Sequence, residues 1–212
     1  MILHGYWRSG TSYRTRIALN LKGLAYEQRG VDLRAGDQKS AAYLALNPQG
    51  LVPALEADGA VLTQSPAILE WLEEAYPTPP LLPTGPVARA QIRAMAAVIG
   101  CDIHPLNNLR VGKALRETFG ADQSAIDAWA GRWIVSGFET LEALVARHGA
   151  GWCFGAAPTL ADCYLIPQIY SARRFNVALD AFPRLLAVDA AAAAHPAFAA
   201  AHPDRQPDAD RT

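Results

Sequence analysis

The chain has 212 residues, enough for two small cores or one large one, and 51% of them are apolar. With 19 basic against 20 acidic residues the net charge is −1, which gives no electrostatic reason to expect a nucleic-acid or membrane partner. No apolar run approaches the roughly 20 residues that span a bilayer, the first residues lack the basic start of a signal peptide, and the 3 widely spaced cysteines do not read as a disulfide framework, so the expected location is the reducing cytoplasm.

In chain order, residues 2–7 are a strand candidate that runs straight into Arg8-Ser9-Gly10-Thr11-Ser12. A helix is expected next, because Tyr13, Ile17 and Leu21 recur every four residues and Gly23 is placed to end it. Residues 26–31 form a weaker strand, and residues 39–46 a short helix closed by Asn47-Pro48. Residues 52–56 and 61–63 flank Asp58-Gly59, a strong hairpin signal. Ser65-Pro66 then opens another helix, with Ser65 as its N-cap and Pro66 at its first position. Its buried stripe is expected at Ile68, Leu69, Leu72 and Tyr76.

The stretch from Pro77 to Pro86 holds 5 prolines in ten residues, which excludes a helix and marks a linker. Everything after it reads as helix. Residues 87–100 carry Ile92, Met95 and Ile99, and residues 124–148 carry Trp129, Trp133, Leu141, Leu144 and Val145. Thr159-Leu160-Ala161-Asp162 resembles a capping box at the start of a third, largely apolar helix expected at the domain centre. The architecture is therefore a βαβ unit, then ββα, then an all-helical domain: α/β followed by all-α, the first part having the element order of a thioredoxin-like domain. The expected boundaries are residues 1–82 and 87–212.

Four segments carry chemistry. The hydroxyl-rich start at Arg8 to Arg14 exposes side-chain OH and backbone N–H groups where an anion is favoured. It holds no cysteine, so any thiol there belongs to a ligand; read alone, it is first of all an ordinary cap by Thr11 or Ser12. Pro53, at the start of a strand, is a candidate for a cis bond that turns the Val52 backbone outward, with a trans edge proline as the alternative. Gln64-Ser65 at a helix start suits a carboxylate or is a plain N-cap. Finally, Pro105 is expected to interrupt a helix and expose polar groups among His104, Asn108 and Arg110, with a surface kink, a core-satisfied His104 and a solvated Arg110 as the alternatives. Cys101 and His104 make half a metal site with no visible second half, so no metal is expected.

The order and spacing of these segments are more specific than any one of them. Arg8-Ser9-Gly10-Thr11-Ser12-Tyr13-Arg14-Thr15-Arg16-Ile17-Ala18-Leu19 resembles the R-S-S-C-x-W-R-V-R-I-A-L signature of zeta-class glutathione transferases. The resemblance continues through residues 45–53, 64–68 and 76–79, the His104 to Arg110 stretch, residues 159–162, and the tail His202-Pro203-Asp204-Arg205-Gln206-Pro207-Asp208. It covers essentially the whole chain. Gly10 and Thr11 stand where the family has its second serine and its cysteine.

The resemblance implies a thioredoxin-like glutathione-binding domain, an all-helical substrate-binding domain and a homodimer. The implied activity is glutathione-dependent cis–trans isomerisation of maleylacetoacetate to fumarylacetoacetate in aromatic amino-acid breakdown. Maleylpyruvate isomerisation, or transferase and dehalogenase chemistry on small α-halo acids, are the alternatives. Carried over by position, Ser9 faces the glutathione sulfur, with Gly10 and Thr11 beside it. Gln38 contacts the tripeptide, Val52 meets its cysteinyl backbone, and Gln64 and Ser65 meet its γ-glutamyl carboxylate. His104 and Asn108 line the site, and Arg8, Arg110 and Arg174 hold the carboxylates of a dicarboxylate enedione, because a guanidinium fork pairs with a carboxylate. Ser9, Thr11 and Arg8 are the expected catalytic residues.

Overall fold

The computed structural model describes residues 1–210. Its first unit opens on strand β1 (Ile2–Gly5) and helix α1 (Gly10–Leu21), after which strand β2 (Glu27–Gly30) runs parallel to β1. Parallel neighbours need a crossover, and α1 supplies it. A short helix α2 (Ala41–Leu46) precedes the hairpin of β3 (Ala54–Ala57) and β4 (Ala60–Thr63), which leads into α3 (Ser65–Ala75). The sheet order is β2-β1-β3-β4, with β3 antiparallel to both its neighbours. This is the thioredoxin-like arrangement. Asp58 and Gly59 at the hairpin tip have φ of 50° and 76°, the paired left-handed residues whose twist matches the flanking strands.

Two local expectations change. The strand expected over residues 2–7 stops at Gly5, because the Tyr6 carbonyl accepts from the Ser9 amide at 3.0 Å and closes a turn into α1. Ser65 is not the N-cap of α3. Gln64 takes that position with φ 66° and ψ 109° and no side-chain capping bond, and Ser65 is the first helical residue. The register explains this: Thr63 is still paired with Ala54, so Gln64 alone makes the turn from β4 into α3.

Leu3, Ile17, Leu19, Leu55, Ile68, Leu69 and Leu72 are fully buried in this unit, while Tyr76 is only half-buried. The proline-rich stretch starts out tied to the same unit. Buried Lys22 donates through Nζ to Glu73 Oε2 at 2.7 Å, to the Tyr76 carbonyl at 2.7 Å and to the Pro79 carbonyl at 3.0 Å. Glu73 also accepts from the Leu81 amide at 3.0 Å. A buried ammonium is tolerable only when its donors are met in this way.

The second unit spans Leu82–Ala192. Helix α4 (Pro86–Ala97) widens into a π-helical turn, Val98–Ile103, just ahead of Pro105. Helices α5 (Leu109–Phe119), α6 (Gln123–His148), α7 (Leu160–Arg174) and α8 (Pro183–Ala194) follow. At Gly137 of α6 an added Cβ would lie 2.3 Å from Ile103 Cδ1, so only glycine lets α6 approach the π turn. Helix α7 is buried along most of its length, as its apolar sequence implies. At its start the fully buried Asp162 carboxylate accepts from the Thr159 amide at 2.7 Å, the Thr159 hydroxyl at 2.8 Å and the Cys153 amide at 2.8 Å.

The helical region expected over residues 87–212 does not stay together. Residues 193–210 pack with the first unit, including helix α9 (Pro196–Ala201). The reason lies in α1. Arg16 is fully buried and donates through Nε to the Ala201 carbonyl at 3.0 Å, and Asn20 donates to the Ala197 carbonyl at 2.9 Å. A guanidinium buried in this unit requires carbonyl acceptors, and the returning chain supplies one.

Candidate functional site

Sheet topology brings three segments to one end of the first unit. His4 of β1 pairs with Ala54 of β3, and Ala54 pairs with Thr63 of β4. The chain leaving β1, the chain entering β3 and the chain leaving β4 therefore emerge side by side. Helices α1 and α3 both begin there, so the positive ends of two helix dipoles share this edge. No acidic residue occupies the first turn of either helix.

Ser9 is the N-cap of α1, with extended φ and ψ of −70° and 125°, and its Oγ accepts from the Ser12 amide at 3.3 Å. Ser9 Oγ and Thr11 Oγ1 lie 2.9 Å apart, and Thr11 Oγ1 donates to the Val52 carbonyl at 2.9 Å. A hydroxyl has one proton. With Thr11 giving its proton to Val52, Ser9 is the donor in the pair. Thr11, expected beside Ser9 at the sulfur, thus has its proton committed to protein backbone. The Ser9 proton rests on another hydroxyl, from which an incoming anion can draw it. The Val52-Pro53 bond is cis, and the Val52 carbonyl is taken by Thr11, which leaves its N–H as the group to offer a ligand.

The approach to Val52 is held by residues that sequence reasoning passed over. Buried Asn47 donates to the Leu51 carbonyl at 2.7 Å and accepts from the Gln49 amide at 3.1 Å. The Tyr43 hydroxyl donates to the same Leu51 carbonyl at 2.7 Å. Burial pushes the Tyr43 phenol up to about 12, against a smaller opposing pull from Asn47, so it remains a donor at ordinary pH. Gln64 is exposed and donates from Nε2 to Gln49 Oε1. Its positive φ is a sparsely populated conformation for a residue with a side chain, a feature that clusters at ligand-holding positions. Ser65 Oγ accepts from Arg14 Nη1 at 3.0 Å. Gln38 lies in a 3-10 turn, Asp37–Lys39, and its Oε1 is buried with no partner.

Arg8 is half-buried and lies over the Trp7 indole at 5.2 Å from ring centre to guanidinium carbon. The remaining expected residues belong to the helical unit. His104 follows the π turn and donates its amide to the Ile99 carbonyl at 2.8 Å. Asn108 caps α5, its Oδ1 accepting from the Arg110 amide at 3.1 Å, so these two are brought together and the Arg110 side chain is exposed. Arg174 is the exposed last residue of α7. Neighbouring Arg173 pairs with Asp189 at 2.6 Å.

Comparison with known proteins matches both ends of the chain. Residues 8–75 match the family model for the glutathione S-transferase N-terminal domain, and residues 123–200 match that for the C-terminal domain. The chain is 56% identical to maleylpyruvate isomerase of Ralstonia sp., over 98% of this chain and 99% of that one. It is 54% identical to maleylacetoacetate isomerase of Pseudomonas aeruginosa, over 98% of each. Among solved structures it resembles maleylacetoacetate isomerase of Methylobacterium extorquens with bound malonate and glutathione. That likeness has a TM-score of 0.94 and 42% identity, and covers 99% of this chain and 100% of the other.

Proposed function

The chain belongs to the glutathione S-transferase family and, within it, to the zeta class, and on that footing we propose that it is a glutathione-dependent cis–trans isomerase of maleylacetoacetate. The observation that carries this reading is the Ser9–Thr11–Val52 hydrogen-bond chain at a helix start with no acid in its first turn. The residues fit glutathione. A redirectable hydroxyl meets a thiolate, the Val52 amide meets a peptide, and Gln64 with the start of α3 meets a carboxylate. The buried, unpartnered Gln38 Oε1 is an acceptor for an ammonium or amide N–H.

When bound, glutathione supplies a nucleophile that adds reversibly to one carbon of a conjugated cis alkene, so that rotation occurs about a single bond. The chain's own part is electrostatic and positional. Ser9 Oγ turns its proton from Thr11 to the sulfur and, with the amides at the start of α1, lowers the thiol pKa. Thr11 stays on the Val52 carbonyl, its one proton committed to backbone. Gly10 presents backbone without a side chain in front of it. Arg8, Arg110 and Arg174 are assigned to the carboxylates of the substrate, with His104 and Asn108 as further lining groups.

The Ralstonia relative supports maleylpyruvate as the second reading, since its identity is 56% against 54% for the Pseudomonas maleylacetoacetate isomerase. Both substrates are to be assayed side by side with glutathione in catalytic amount. Turnover of maleylacetoacetate without net loss of glutathione is expected; turnover of neither substrate ends the isomerase reading. No helix among the described residues is long and apolar enough to cross a membrane. The class supports a homodimer in the cytoplasm, and a monomeric mass in sedimentation equilibrium would remove the dimer.

A further inference from the structure

The peptide unit between Tyr6 and Trp7 is held on both of its polar atoms. Its carbonyl accepts from the Ser9 amide at 3.0 Å, and its N–H donates to Asp208 Oδ2 at 2.9 Å. A peptide unit is planar and stiff, so a carboxylate 201 positions away in sequence fixes the orientation of the turn that carries Ser9. Asp208 is itself located. Its other oxygen accepts from Gln28 Nε2 at 2.7 Å, and an added Cβ at Gly30 would stand 3.1 Å from the Asp208 Cβ. The tail around it is pinned as well. Arg34 pairs with Asp210, and buried Gln206 donates to the Ala200 and His202 carbonyls at 3.0 and 2.8 Å. On the far side of Trp7, its carbonyl accepts from Arg16 Nη2 at 2.9 Å, and Arg16 also holds the Ala201 carbonyl.

We infer that Asp208 is a positioning residue for the Ser9 turn, so that the C-terminal segment completes the glutathione-binding edge of the first unit. The inference rests on the reading of Ser9 as the group that meets the glutathione sulfur. The segment does not touch the sulfur. It acts by clamping one peptide plane, and the charge on Asp208 strengthens the clamp, because an ionised acceptor makes the stronger hydrogen bond. Loss of the clamp lets the turn shift, and displacement of a reacting group by a fraction of an ångström is enough to lower the rate of a positioned reaction.

The test compares Asp208→Ala, Asp208→Asn and Gln28→Ala with the unaltered full chain. Asparagine keeps an acceptor for the Trp7 amide. Gln28, whose Oε1 is buried without a partner, can reverse its amide to meet the new NH2. Expected for Asp208→Ala are a fall in kcat/KM of about tenfold, movement of the acidic limb of the rate profile to higher pH as the bound thiol loses stabilisation, and faster deuterium exchange over residues 6–12 without ligand. Asp208→Asn, which keeps the acceptor but not the charge, is expected to restore the larger part of all three. Gln28→Ala is expected to shift them the same way by less, and it decides the matter if Asp208→Ala does not fold. A loss of melting temperature with an unmoved pH profile and unchanged exchange at residues 6–12 overturns the inference, as does an Asn variant no better than Ala. If the unaltered chain fails to bind glutathione in calorimetry, it is the functional reading that falls. The exchange measurement then still decides whether Asp208 holds the turn.

Discussion

Helix α7 begins on Thr159 and carries Asp162 in its first turn, whereas helix α1 begins on Ser9 and carries no acid there. At α7 one buried carboxylate meets three donors within 2.8 Å, so the positive end of the helix is already neutralised from within the chain. At α1 the capping bond from Ser12 is 3.3 Å, the hydroxyls are half-exposed, and the positive end faces outward with its neutralising charge missing. A hydroxyl N-cap says where a helix starts. An acid in the first turn, present or absent, decides whether that start is closed for stability or open to an anion.

Four substitutions test this contrast. The largest effect is expected from Asp162→Ala, which strands three donors in a dry interior. A loss of about 3 kcal/mol or more in urea unfolding is expected, and a loss below about 1 kcal/mol would show that the start of α7 is not closed as described. The loss has a pH signature. Burial holds the Asp162 carboxyl above its ordinary 3.8, its hydrogen bonds offsetting part of that rise. The folded state therefore binds this proton more tightly than the unfolded chain. The resulting stabilisation is complete below 3.8 and is lost as pH rises through the folded value, so the gap between wild type and variant widens on acidification.

Next comes Ser9→Ala, expected to lower kcat about 100-fold, as loss of one donor to a developing anion does. Its stability loss should stay near the ~1 kcal/mol of an ordinary cap. Unchanged turnover would move the work to backbone amides. Thr11→Asp converts the α1 start toward the α7 pattern by placing a carboxylate in its first turn. Glutathione affinity should drop about tenfold through like-charge repulsion, read by calorimetry, while the loss of the Thr11 donor to the Val52 carbonyl offsets the few tenths of a kcal/mol gained at the helix start. Unaltered affinity would mean that the edge does not hold an anion. The smallest effect belongs to Asp122→Ala. Asp122 caps α6 by accepting from the Ala125 amide at 2.8 Å on the surface. About 1 kcal/mol should be lost in unfolding with no kinetic change, and a kinetic change would blur the distinction between structural and ligand-facing caps.

Much of the fold is legible in the chain. Four-residue spacing marks α1, Asp58-Gly59 marks the hairpin, and Thr159 with Asp162 marks the entry to α7, because each depends on neighbours within a few residues. Legibility ends where distant residues compete. Ser65 has a good capping side chain, yet Arg14 claims its hydroxyl and the β4 register hands the turn to Gln64. The candidate site shows the same boundary. Ser9 and Thr11 stand out as hydroxyls at a helix start, but that Thr11 spends its proton on Val52, 41 positions later, is decided only by the pairing of β1 with β3.

The tail is the clearest case. Read as sequence, residues 193–212 fall within the helical domain expected over residues 87–212, since nothing after the proline-rich linker reads as strand. In the structure Arg16 and the Trp7 amide need acceptors inside the first unit, and Ala201 and Asp208 provide them. The order of elements, the two-part architecture and the hydroxyl-lined helix start are local patterns of period, cap and turn, legible along the chain. Which proton of that start is available, which cap is closed, and the return of residues 193–210 to the first unit follow from long-range contacts. The physical reason is that buried polar groups must find partners, and a sequence read along its length does not show which distant atoms will meet them.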